Sequence, residues 1–296
     1  MIRTIRPDVM AGMSPEGRGG GQHHQASGVL AFEAFRAAAD PTEFPDQIRD
    51  GLRPWQAKKF YIRSGFGGRG GPAPGGAGTA TIDVGQYDSL LGRTYAEIGS
   101  VARSMHKCQG TAQLIRLPGP ATARYRLAES TIAGQAGTAE TSLFDGVDTT
   151  IVGLAQYAGA RPARELTIGL ASIARQAEAA AQRFHADGAD ATTPPILAGL
   201  TAVRNLRGRL GSIGLNEDAR FEIDYRLETK EREFEQAAVL AHGLRLEALA
   251  DDGLVTPDQR VRLSVLVANY GQADVTVRGV TFAGLDGLGL RCDTGV

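Results

Sequence analysis

Arg6-Pro7-Asp8-Val9-Met10-Ala11-Gly12-Met13, then a glycine-rich stretch over 14–22, then His23-His24-Gln25-Ala26-Ser27-Gly28-Val29-Leu30-Ala31-Phe32-Glu33-Ala34-Phe35, spell a strand, a loop and a helix in succession. The apolar run at 9–13 is short enough for a buried strand. Leu30, Phe32 and Phe35, with Ala31, Ala34 and Ala38, give residues 23–39 a broad apolar face at helical spacing, and Asp40-Pro41 stops the helix. A short helix follows near 45–51, and Lys58-Lys59-Phe60-Tyr61-Ile62 has the composition of a second strand. Strand–helix–strand order favours a partly parallel sheet and an α/β class.

Working outward, residues 64–80 are low in complexity and read as a surface loop. Residues 88–107 are helical in pattern, with Asp88 as the candidate cap, and 112–130 carry short β-like runs such as 121–127. The character changes over 164–243. Leu166, Leu170, Ile173, Ala177, Ala180 and Phe184 alternate spacings of four and three, and Leu200, Val203, Leu206, Leu210 and Ile213 recur at the same helical spacings of three or four. A third helix over about 218–243 puts Ile223, Leu227, Phe234 and Ala241 on one stripe, and Gly243 is a C-cap candidate. Three antiparallel helices with coiled-coil-like packing are expected. From Leu244 the period drops to two, at Leu244, Leu246 and Ala248, at Val261, Leu263, Val265 and Val267, at Val275 and Val277, and at Val280 and Phe282. That pattern opens an antiparallel β-sandwich too short to bury a core alone. The expected division is 1–150 (α/β), 151–243 (helical) and 244–296 (sandwich start), and both chain ends read as interruptions of something longer.

Composition excludes several classes. A formal net charge of −1 argues against a nucleic-acid binder with a broad basic face. No apolar run is long enough to span a bilayer. The amino-terminal residues lack the apolar core of a secretory signal, so any export signal would lie upstream. Cys108 and Cys292 form neither a disulfide framework nor a zinc-ribbon spacing.

Gly65-Phe66-Gly67-Gly68-Arg69-Gly70 matches the dinucleotide-binding string, but Pro72, Pro74 and further glycines leave no helix in phase behind it. It reads as a loop, with a lid role open to it. His23 and His24 sit at the first turn of a helix behind a strand, where α/β sites form, and a neutral imidazole is a good zinc ligand. Neighbouring helical residues point about 100° apart, so the two would not readily chelate one ion. The plain alternative is a solvated helix start.

Arg6-Pro7-Asp8-Val9, Gly21-Gln22-His23-His24-Gln25-Ala26-Ser27-Gly28 and Ala34-Phe35, with Ala39-Asp40-Pro41, Phe44-Pro45, Pro54-Trp55-Gln56-Ala57-Lys58-Lys59-Phe60-Tyr61, Arg103-Ser104-Met105-His106-Lys107-Cys108-Gln109-Gly110 and Ser142-Leu143-Phe144-Asp145-Gly146, resemble the PIG-L/LmbE-like zinc N-deacetylases, the large bacterial members most. The likeness covers roughly residues 5–150, and the later helices and sandwich start are similar to the tails of those members. It implies a partial Rossmann-like LmbE-type domain and zinc-dependent hydrolysis of an N-acetyl amide on an N-acetylglucosamine-type sugar conjugate. It implies that His24 is a zinc ligand, and that His23, Arg103, His106 and Gln109 lie near the substrate.

The sequence departs from that pattern in ways that matter. The family's early His-Pro-Asp-Asp motif, source of two further ligands and of the general base, is absent from residues 1–296; Arg6 stands before Pro7-Asp8, and Gly21 occupies the position of a second histidine. The resemblance therefore implies a catalytic base upstream of Met1 and an isolated chain without activity. The alternative is a non-catalytic scaffold binding a glycan or a partner. Residue by residue, plainer roles stand beside these. His106 suits a helix C-terminus, Arg103 a surface pair with Glu97 or Asp88, Cys108 a small buried apolar group, Trp55 a core position or a sugar platform. His185 and His242 suit helix ends, and residues 228–235 suit a solvated helix face.

Overall fold

Phe60 and Ile62 face one side of a strand while Lys59 and Tyr61 face the other, and this alternation organises the amino-terminal part of the molecule. The computed structural model describes residues 1–16, 21–64, 78–107, 117–135 and 137–282. They fall into two units, Met1–Thr149 and Thr150–Val296. The first contains α1 (Ile2–Ile5), β1 (Val9–Gly12), α2 (Gly21–Ala37), α3 (Pro45–Arg49), β2 (Lys59–Ser64), β3 (Thr79–Asp83), β4 (Tyr87–Asp88), β5 (Arg93–Thr94), α4 (Tyr95–Ser104) and β6 (Thr122–Ser130). Four strands make a sheet in the order β1-β2-β6-β3. β1 and β2 are parallel, as the strand–helix–strand order predicts, and β6 runs antiparallel to both β2 and β3. The class is mixed α/β with a mixed sheet.

On one face α2 supplies the cover. Phe35, Ala57, Phe60 and Ile62 are buried together, with Met10, Ala31, Phe32 and Ala128 against them. Phe60 meets Phe32 and Phe35 edge-on, with centroids 5.6 and 5.8 Å apart, the arrangement ring quadrupoles favour. Gly12 makes room, since a Cβ there would lie 2.9 Å from the Phe60 ring. The C-terminus of α2 is closed by a distant residue. The buried guanidinium of Arg3 donates to the carbonyls of Ala37, Ala38, Asp40 and Glu43 at 2.6–3.2 Å, satisfying acceptors a helix end leaves open. Trp55 is a core residue, not an open sugar platform: it is buried, Arg6 stacks on its ring at 4.5 Å, and its indole N–H donates to the Pro7 carbonyl.

The opposite face is covered by the segment after β6 and is held by polar groups. Lys59 and Glu140 form a fully enclosed ion pair, Tyr61 donates to Glu140 Oε2 at 2.6 Å, and Gln135 donates to Glu140 Oε1 at 2.9 Å. Lys59 and Gln135 also reach the Asp145 carbonyl, at 3.0 and 2.7 Å.

Two sequence expectations change in this unit. The helix expected over 88–107 begins at Tyr95, because Thr94 and Glu97 close a reciprocal capping box, while Asp88 lies in the β4–β5 hairpin and accepts from the amides of Leu90 and Leu91. The stretch treated as loop to residue 80 already contains the start of β3, whose Thr79 and Ala80 are buried against β6. The Gly65–Gly70 string lies outside the described residues.

The second unit holds the three expected helices, α5 (Arg164–Asp187), α6 (Thr193–Arg209) and α7 (Glu217–Ala241), behind a 3₁₀ stretch at Val152–Ala158. Leu166, Leu170, Ile173, Val203, Leu206, Leu210, Ile223 and Leu227 form its core. The 3₁₀ stretch packs against both α5 and α7, with Arg226 stacked on Tyr157 at 4.6 Å. Gly199 faces the Phe234 ring so closely that a Cβ would meet it at 2.3 Å. Part of the 228–235 face is an interhelical clamp: Glu231 accepts from Arg204 and Arg207 of α6 at 2.7 Å each, which holds its carboxyl below the ordinary glutamate range.

Beyond α7, β7 (Leu244–Ala250) and β8 (Leu263–Asn269) pair antiparallel. Gly243 and Gly271 pack backbone to backbone, so the ribbon docks on the end of α7 within this same unit. The register puts Leu246, Ala248 and Ala250 opposite Val267, Val265 and Leu263, on one apolar and largely exposed face. The strands expected at 275–277 and 280–282 are not formed, and Val275, Val277 and Val280 are exposed. Alternation marks a face that wants cover; it does not supply a neighbouring edge to pair with.

Candidate functional site

The carboxyl end of β1 is where the strand hands over to the loop before α2, and Gly28 fixes how closely the helix lies against that loop. A Cβ at residue 28 would sit 2.6 Å from the Ser14 carbonyl oxygen and 3.2 Å from that of Met13. Only glycine allows this approach without a shift of the backbone. Along the same stripe Phe35 packs on Phe60, and Ala31 lies opposite Gly12. Residues 24, 28, 31 and 35 share one helical face. His24 is thus one turn, about 5.4 Å, past the loop contact, beyond the carboxyl end of β1, and it is half-buried. His23, a step of about 100° round the helix, is exposed.

The other sequence candidates are distributed differently. His106 is exposed just beyond α4, with its Nδ1 3.1 Å from the Arg103 carbonyl oxygen, which is the helix-end role. Arg103 is half-buried in the last turn of α4. Gln109 and Cys108 lie outside the described residues, as does Cys292. Asp8 precedes β1, at its amino end, paired with Lys58 at 3.0 Å; it is at the opposite end of the strand from His24. His185 ends α5 against Phe184, and His242 caps α7 through the Ala238 carbonyl oxygen at 2.8 Å.

Among the described residues no group of three or more His, Cys, Asp or Glu side chains is arranged to hold a metal ion. A catalytic zinc takes about three protein ligands, so His24 by itself does not fit one. Among the described residues no helix is long and apolar enough to cross a membrane.

At the same end of the sheet, β6 brings in charge. Its register places Arg124 between Ser64 and Thr81, and Arg126 between Ile62 and Thr79. Both arginines therefore project to the face that carries α2, with Glu16 of the β1–α2 loop 3.8 Å from Arg126. Sequence reasoning passed over these two arginines, although Arg124-Tyr125-Arg126 within a β run is a two-residue basic alternation.

The buried Lys59–Glu140–Tyr61 group was also missed. Burial and the Glu140 hydrogen bond raise the Tyr61 phenol far above its ordinary value, and the Thr141 backbone amide holds the Asp145 carboxyl below the ordinary aspartate range. The ion pair is closed to solvent, so its work is to fasten residues 131–149 to the sheet. No family model matches the chain, nor does any curated protein or solved structure.

Proposed function

We propose that residues 1–149 contribute part of a Rossmann-like, PIG-L/LmbE-type N-deacetylase domain, in which His24 is one of the zinc ligands. The polypeptide that completes it would hydrolyse an N-acetyl amide on an N-acetylglucosamine-type sugar conjugate. One observation supports this reading above the others. The imidazole belongs to the sheet-facing stripe of α2, past the carboxyl end of β1, and Gly28 of the same His-Gln-Ala-Ser-Gly motif sets that position. Ligands of open α/β sheets gather outside those strand ends.

The remaining donors and the base are not among residues 1–296, so no catalytic step is assigned to this chain. The test uses a polypeptide extended to include an upstream His-x-x-Asp-bearing strand. His24→Ala should remove stoichiometric zinc and deacetylation of an N-acetylglucosamine conjugate. Retention of both would defeat the assignment, as would metal-dependent turnover by residues 1–296 alone. The rival reading, a non-catalytic scaffold, draws support from Asp8, which follows Pro7 but lies at the amino end of β1, the wrong end of the strand. A termination codon directly upstream of Met1 would favour it.

A further inference from the structure

We infer that the outer edge of β7 pairs antiparallel with the same edge of a second copy of this chain, joined at Leu246, with Arg245 of each copy facing Glu247 of the other. The surface belongs to the β7–β8 ribbon and does not depend on the deacetylase reading.

The hydrogen bonds at the two ends of the ribbon fix what the edge offers. The Tyr270 amide donates to the Gly243 carbonyl at 2.9 Å, and the Asp251 amide to the Arg262 carbonyl at 3.1 Å. Both pairs continue the β7–β8 register by one residue. Antiparallel strands alternate bonded and non-bonded pairs, so the odd-numbered residues of β7 turn their amides and carbonyls to β8. Leu244, Leu246, Ala248 and Ala250 turn theirs outward, where no strand pairs with them among the described residues. Leu246 is 57% exposed, and Ala248 and Ala250 are exposed as well. An open edge of this kind is a template for another strand.

The charges name that strand. β7 reads Leu-Arg-Leu-Glu-Ala-Leu-Ala. A twofold axis through Leu246 sets Leu246 against its own copy in a bonded pair. It sets Arg245 against Glu247 in the non-bonded pairs on either side, where side chains come closest. Arg245 and Glu247 already pair along their own strand, with the arginine Nε donating at 2.7 Å, and Arg245 keeps 63% of its side chain exposed. Two copies so joined close a ring of four charges of alternating sign. An axis at Glu247 would set that carboxylate against itself, and one at Ala248 would leave Glu247 facing Leu249. On the opposite face the axis at Leu246 brings Leu246 to Leu246 and Leu244 to Ala248, so the apolar faces of the two ribbons merge across the seam. The second copy supplies the neighbouring edge that residues 275–282 do not.

Analytical ultracentrifugation of the 296-residue chain over a concentration series should show a monomer–dimer equilibrium. Arg245→Glu alone sets like charges across the seam, twice by symmetry, and should weaken dimerisation at least about tenfold; Glu247→Arg should do the same. Mixed in equal amounts, the two variants present only opposite charges to each other and should regain the parent's dimerisation, a recovery that misfolding cannot produce. Leu246→Pro removes an outward N–H that β8 does not use, and should leave a monomer with an unchanged circular dichroism spectrum. A chain that stays monomeric throughout the series, or two variants that ignore each other when mixed, would overturn the edge pairing. Dimers indifferent to either charge reversal would overturn it too, and would move the contact to the apolar face of the ribbon.

Discussion

The sheet of the first unit and the helices of the second solve burial by different means. The helical unit closes on side chains such as Leu166, Leu170, Val203, Ile223 and Leu227, all without exposure. The sheet has an apolar face under α2, but its other face is fastened by Lys59, Tyr61, Gln135 and Glu140, and the end of α2 by Arg3. Apolar packing is tolerant: the cost of a change scales with the volume lost. A buried ion pair is not, because removing one partner strands the other charge. The same difference explains where a site can sit. A fold that already positions buried polar groups at fixed distances can position an imidazole or a guanidinium at its rim; the helical unit keeps its polar clamp of Arg204, Arg207 and Glu231 outside its apolar core.

The contrast can be broken, because each unit has its own reporter. Trp55 is the single tryptophan and belongs to the sheet unit, while α5, α6 and α7 dominate the helical signal at 222 nm. Glu140→Ala should lower the stability seen by Trp55 fluorescence by roughly 3–5 kcal/mol and leave the helical transition in place. If Lys59→Met combined with Glu140→Leu recovers most of that loss, the penalty is the stranded charge. Leu227→Ala should do the reverse, costing the helical unit about 2–5 kcal/mol with the Trp55 transition unmoved. Coincident shifts of both reporters in either variant would dissolve the distinction. Thr94→Ala removes half of a capping box and should cost about 1 kcal/mol, read by faster amide exchange in the first turn of α4.

The smallest effect is a pH dependence. The folded Asp145 carboxyl titrates below its unfolded value because the Thr141 amide and hydroxyl hold the ionised form. Its contribution to stability is therefore complete above the unfolded value, about 4, and declines as pH falls through the lower folded value. Asp145→Asn should flatten the acid limb of the Trp55 stability profile; an unchanged slope would assign that limb to other carboxylates.

Local pattern made much of this visible. The 4-3 spacing of α5 and α6, the strand–helix–strand order around α2, and the His-Gln-Ala-Ser-Gly motif at its start are all short-range signals. What stayed hidden is long-range. Lys58-Lys59 looks like an ordinary basic pair until Glu140, 81 residues later, proves to be the partner of one of them. Arg3 sits in a four-residue helix whose purpose appears only with carbonyls at 37–43. β3 begins just after a glycine-rich tract and has only the sequence Thr-Ala-Thr-Ile-Asp to announce it. The Thr94–Glu97 box, by contrast, was legible as a Ser/Thr-x-x-Glu signature, and Asp88 was the weaker choice. The same limit applies to the sheet: a histidine on a helix can be placed by periodicity, but Arg124 became a neighbour of Ser64 and Thr81 only through strand register.

The Arg3 clamp also bears on how the chain is made. Arg3 leaves the ribosome well before the oxygens it must bind, which belong to peptide groups 35–40 residues further along the chain. Until they emerge the guanidinium stays hydrated and the nascent segment has no lock. Arg3→Ala would therefore unfasten the far end of α2.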